Sequence, residues 1–145
     1  MIKVIKGNLV SAVLNSEVDM MMHVCNCQGV MGSGIAKEVK ERTPEAYKAY
    51  KNSSLQLGGY SRVARVVNLY AQDNYGYGKR HLNYGALSVA LTGVFDDLDE
   101  EGFAGTIGVP YKMGSDRAGG DWTIVLEILE ALADYYGIKL VIYKL

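Results

Sequence analysis

The chain has 145 residues, enough for one domain that buries a sizeable core, and a single domain over 1–145 is expected. Aliphatic and aromatic residues make up 49% and charged residues 21%, and no run approaches the apolar length of a membrane span, so a soluble globular protein is expected. A formal charge of −1 argues against a broad electrostatic grip on nucleic acid, whereas a small anion held by backbone amides needs no such charge.

The opening residues, Met1-Ile2-Lys3-Val4-Ile5-Lys6, alternate as a strand does and do not form a signal peptide, which points to the cytoplasm. Gly7-Asn8-Leu9-Val10 closes that strand. Asp19 to Cys25, with Met20-Met21-Met22 and Val24, reads as a second, buried strand. Cys25 and Cys27 sit too close for an ordinary bridge and lack a second Cys/His pair for zinc. They read as reduced thiols, with a catalytic thiol the lesser alternative, and no metal or cofactor is expected. Ile35, Ala36 and Val39 give an apolar side to a helix ending near Arg42, and Thr43-Pro44-Glu45 opens another through Tyr50. Gly58-Gly59 is a turn, Ser61 to Tyr70 one central strand, and Asp73 to Arg80 a loop. From Asn83 to Leu98, Leu87, Leu91, Val94, Phe95 and Leu98 recur at helical spacing. Thr106 to Tyr111 is a short strand, Asp121 opens a helix, and Ile138 to Tyr143 is the last strand.

Two stretches stand out from this alternation. The first runs from His23 to Ala36, an apolar strand entering a glycine-rich turn (Gly29, Gly32, Gly34) and then a helix. Glycine lets the backbone approach a ligand, and a helix N-terminus offers free N–H groups to an anion. It is neither a P-loop nor a Gly-x-Gly-x-x-Gly fingerprint, and alone it is equally a tight connection. The second is Gly114-Ser115-Asp116-Arg117-Ala118-Gly119-Gly120. Strands alternating with helices imply an α/β layer protein with a substantially parallel sheet, whose ligands sit outside the carboxyl ends of strands, and both loops lie at such ends. Together they predict a clamp on a diphosphate.

In this order and spacing the residues resemble the macro domain family, whose members bind ADP-ribose, over nearly the whole chain. The resemblance implies a three-layer α/β/α sandwich with a mixed, largely parallel sheet. Lys6-Gly7-Asn8-Leu9 is similar to the family's Gly-Asp-Ile/Leu, where the acid binds the adenine amine; Asn8 departs from that and lacks the charge. Asn26 through Ala36 is similar to the segment in which Asn26 meets the distal ribose and Gly32, Ser33, Gly34 and Ile35 the phosphates. Gly114 through Trp122 resembles the second phosphate loop, implying ligand contacts from Gly114, Ser115, Arg117, Ala118, Gly119 and Gly120, and Tyr143 stands where an aromatic packs near adenine or its ribose. His23-Val24-Cys25-Asn26-Cys27 resembles the ADP-ribose 1''-phosphate phosphatase version in particular. The glycohydrolase relatives carry a lysine just after the central strand, where here Ala71-Gln72-Asp73 follow Asn68-Leu69-Tyr70 and no lysine stands.

Three side chains are candidate catalysts, each with a plainer alternative. His23 is a general acid/base or a hydrogen-bonded histidine at a strand end. Asp116 orients water or binds a ribose hydroxyl, or is a solvated turn acid. Asp121 is an acid before Trp122 or simply the cap of the following helix. Trp122 reads as a core anchor, and Tyr75, Tyr77, Lys79 and Arg80 as a loop tip bordering the cleft in preference to a nucleic-acid strip. The function implied is removal of the phosphate from ADP-ribose 1''-phosphate by a monomer. The alternatives are an ADP-ribosyl hydrolase acting on a modified macromolecule and a non-catalytic ADP-ribose reader.

Overall fold

The computed structural model describes residues 2–76 and 78–145; Met1 of the opening strand and Tyr77 of the loop tip lie outside the described residues. Strand β1 (Lys3–Lys6) leads into helix α1 (Leu9–Leu14), where the sequence suggested only the close of a strand. The helix forms because Asn8 caps it, its Oδ1 accepting from the Ser11 backbone N–H at 2.8 Å, and because Leu9, Val10, Ala12 and Val13 are all buried. Strand β2 (Met20–Asn26) follows, then helices α2 (Gly34–Arg42) and α3 (Pro44–Lys51), the latter opened by proline at its first position. The expected single strand from Ser61 to Tyr70 is two, β3 (Tyr60–Val63) and β4 (Val66–Gln72), folded back as a hairpin with Val63 opposite Val66. Ala64 makes that turn at φ 53°, a left-handed conformation that a sequence without glycine there does not advertise. Helix α4 (Tyr84–Glu100), strand β5 (Thr106–Pro110), helix α5 (Trp122–Tyr136) and strand β6 (Lys139–Lys144) complete the chain.

The six strands lie in the order β1-β6-β5-β2-β4-β3, parallel throughout except for the antiparallel edge strand β3. Alternation along β2 sends Met20 and Met22 to the core shared with Leu87, Leu91 and Phe95 of α4 and Val125 and Leu129 of α5. Met21 and Cys25 go to the opposite core, with Leu9 and Val13 of α1, Val39 of α2 and Tyr50 of α3. The methionine run is thus divided between two layers, and the result is the α/β/α sandwich. Among the described residues no helix is long and apolar enough to cross a membrane.

The sheet order also opens a crevice. β2 continues its ladder with β4 to its end but pairs with β5 only at Met20 with Ile107 and Met21 with Gly108. Beyond those pairs, β2 turns into α2 on one face while β5 proceeds toward α5 on the other. Such a divergence of neighbouring parallel strands is where open α/β sheets hold ligands.

Candidate ligand cleft

A cleft of about 990 Å³ occupies this divergence. One wall is the first glycine loop and the start of α2, Val30 to Ala36; the facing wall is Pro110 to Gly114 with Asp116, Arg117 and Ala118; Gly7, Asn8, Leu9 and Tyr143 close one end. Ser33 is the N-cap of α2 but makes no side-chain capping bond, so the first N–H groups of this nine-residue helix remain available at the wall. Gly34 opens the helix at φ 58°, and a Cβ there would meet nothing within 4 Å. Its glycine identity answers to backbone conformation, and the space beside it belongs to the cleft.

The first loop is fastened from beneath. Asn26, 7% exposed, accepts at Oδ1 from the Tyr50 hydroxyl (2.8 Å) and the Gln28 N–H (3.0 Å), and donates from Nδ2 to the Val30 carbonyl at 2.8 Å. Tyr50 also donates to the Asn26 carbonyl at 2.7 Å, and burial pushes its phenol up, keeping it a donor. An amide nitrogen carries two hydrogens, so Asn26 retains one N–H beyond the bonds that hold the loop.

His23 lines the cleft but is fully buried. It lies in the cleft floor with no exposed surface, its Nε2 2.6 Å from Asn68 Oδ1, while Asn68 Nδ2 donates to the Ala46 carbonyl and Ser61. Burial drives its pKa down to about 4, opposed in part by the Asn68 contact, so the imidazole is neutral at pH 7 and its Nε2 is occupied. Its burial and its bond to Asn68 favour the plainer of the two readings, a histidine tying β2 to β4. Cys25, beside it, is buried as well, and burial pushes its thiol well above its ordinary value, which keeps it protonated.

Of the other candidate catalysts, Asp116 is exposed on the cleft and Asp121 is not part of its lining. Asp121 accepts from the Thr123 N–H at 2.8 Å as the cap of α5. The second loop divides similarly. Gly114, Arg117 and Ala118 line the cleft, whereas Ser115, expected at the ligand, sits outside it with its hydroxyl on the Met113 carbonyl. Gly119 and Gly120, also expected there, face the chain itself: a Cβ on Gly119 would lie 3.0 Å from the Arg80 Cα and the Lys79 carbonyl oxygen. Trp122 meets Tyr111 edge-on at 5.6 Å, and Arg80 stacks on Tyr84 while Tyr75 and Gly76 border the cleft.

Asn8 lines the cleft, but its side chain is engaged. Its Oδ1 caps α1, and its Nδ2 lies 3.1 and 3.0 Å from the two carboxylate oxygens of Glu38. Glu38, on α2 one turn after Gly34, is a lining residue that the sequence reading passed over. Its signal was the i, i+4 spacing from the helix start, which puts it on the face of α2 that Gly34 opens.

No family model matches the chain. An uncharacterized 17.5 kDa protein of Enterobacteria phage T4 is 29% identical over 96% of this chain and 92% of its own length. The ADP-ribose 1''-phosphate phosphatase of Scheffersomyces stipitis is 38% identical over 60 residues, 40% of this chain, and the match spans only 35% of that protein. The macrodomain of Mycobacterium tuberculosis DarG superposes with a TM-score of 0.77 at 24% identity, over 99% of this chain and 97% of its own. Thermosipho africanus DarTG, solved in complex with ADP-ribose, gives 0.76 at 17% identity over 99% of this chain and 42% of that one. A macrodomain protein from Streptomyces coelicolor is 27% identical over 86% of both chains, with a TM-score of 0.68. The sheet order, the cleft at the strand divergence and these likenesses together show that the chain has the macro domain fold.

Proposed function

We propose that the cleft binds ADP-ribose and that the protein hydrolyses ADP-ribose 1''-phosphate to ADP-ribose and inorganic phosphate. The observation that carries the binding is the uncapped start of α2 facing the second loop across one cleft, a pair of amide-rich walls suited to a diphosphate. The local similarity to the S. stipitis phosphatase supports the reaction, as does Asp116, the one acid that the second loop turns to the cleft. In this reading Asp116 accepts the proton of a water that attacks phosphorus. The P–O bond to the distal ribose breaks, the departing oxygen takes a proton from solvent, and the loop amides with Arg117 stabilise the charge on the phosphoryl oxygens.

Asp116→Asn tests it. Phosphate release from ADP-ribose 1''-phosphate should fall by about 10²–10⁴ while ADP-ribose affinity stays within about threefold. Undiminished turnover would assign the base elsewhere. Release of ADP-ribose from a modified macromolecule, with no phosphate release by the unmodified protein, would make it an ADP-ribosyl hydrolase. Binding without either reaction would make it a reader.

A further inference from the structure

Resting on the reading of the cleft as an ADP-ribose site, we infer that Glu38, held by Asn8 and Arg42, is the group that selects the base. The end of the cleft closed by Gly7, Leu9 and Tyr143 has an aliphatic and an aromatic side chain in its lining, as a planar ring requires, and Glu38 is a carboxylate on the same lining. Asn8 cannot take this role. Its Oδ1 receives the Ser11 N–H at 2.8 Å with Arg42 Nη1 at 3.5 Å, and its amide hydrogens face Glu38 Oε1 and Oε2.

Glu38 keeps an acceptor site. Arg42 Nη1 donates to Oε2 at 3.0 Å and to the Ser11 hydroxyl at 2.9 Å, so Oε2 has two partners whereas Oε1 has Asn8 alone. A carboxylate oxygen accepts two hydrogen bonds, which leaves one lone pair on Oε1 open in a side chain that is 33% exposed. Contacts from two elements fix the carboxylate, and the guanidinium offsets its charge, so it does not repel the diphosphate at the other end of the cleft. The ligand feature that matches is an exocyclic amine on a planar heterocycle, an N–H donor; a carbonyl oxygen in the same place would face a negative oxygen. The site therefore favours adenine over hypoxanthine.

Calorimetric titration of the full chain with ADP-ribose, its inosine analogue and its N6,N6-dimethyl analogue tests this. The unmodified protein should bind ADP-ribose about tenfold more tightly than either analogue. Glu38→Gln, which keeps shape and exposure but removes the charge and one acceptor, should bring adenine and hypoxanthine ligands within about threefold, with an unchanged melting curve. Equal affinity of the unmodified protein for ADP-ribose and the dimethyl analogue would overturn the inference without reliance on any variant. So would preserved selectivity in Glu38→Gln. Binding without base selection overturns this inference alone; no binding of ADP-ribose at all overturns the proposed function with it.

Discussion

The two glycine loops look alike in sequence and use their glycines for opposite ends. In the first, Gly34 adopts a left-handed conformation beside open space, and the loop is held by side chains beneath it, Asn26 and Tyr50. In the second, a Cβ on Gly120 would lie 2.4 Å from Leu82 Cδ2 and 2.6 Å from the Gly114 carbonyl oxygen. That glycine makes room for the chain, not for a ligand. A glycine run therefore says that backbone must come close to something, and only the tertiary structure says to what.

The sharpest way to break this contrast is Gly34→Glu. A side chain fits sterically, the left-handed residue costs on the order of 1 kcal/mol, and the added charge opposes an anion at the α2 start. ADP-ribose affinity should fall by at least about a hundredfold with the melting temperature within a few degrees of the parent; titration and melting of the same preparation check both. Retained affinity would remove the anion site from this wall.

Gly120→Ala should do the reverse. A backbone carbonyl cannot yield as a flexible side chain does, so we expect a loss of about 3 kcal/mol, roughly 10 °C in a melting scan, with ADP-ribose affinity of the folded fraction nearly unchanged. A variant that melts like the parent would contradict the packing role.

The tie between β2 and β4 at His23 is open to a pH test. His23 binds its proton near pH 6.5 in the unfolded chain and near pH 4 in the folded one, so between those values the unfolded state holds more protons. Stability contributed by the neutral histidine is full above about pH 6.5, declines as pH falls toward 4, and changes no further below. The whole fall amounts to roughly 3 kcal/mol. Denaturant melts of the parent and of His23→Gln across that range should show the variant with a slope shallower by about one proton. Parallel slopes would mean that His23 ionises while folded.

The smallest effect belongs to Asp121. Asp121→Ala removes the α5 cap and should cost about 1 kcal/mol of stability while leaving phosphate release as it was. Loss of turnover at unchanged stability would return this acid to the chemistry.

The layers were legible because alternating and helical periodicities record which side of the sheet each residue buries, and Met20, Met21 and Met22 illustrate how directly. The missed elements lacked local signals. The turn at Ala64 has neither glycine nor proline, and α1 is six residues long, too short for its periodicity to outweigh the preceding strand. At the cleft, residue type pointed to segments that line it but not to individual atoms. His23 and Asp121 have the chemistry of catalysts, and burial in one case and a capping bond in the other engage it; Glu38 joins Asn8 across 30 positions, a distance at which no spacing rule operates.

The fastening of Asn26 to Tyr50, Gln28 and Val30 bears on kinetics. A cradle already fastened before a ligand arrives loses little conformational freedom on capture. Encounter should then run at the ordinary rate for a small molecule entering an open groove, with no slow ordering phase in stopped flow. Differences among ligands should appear in how long each one stays.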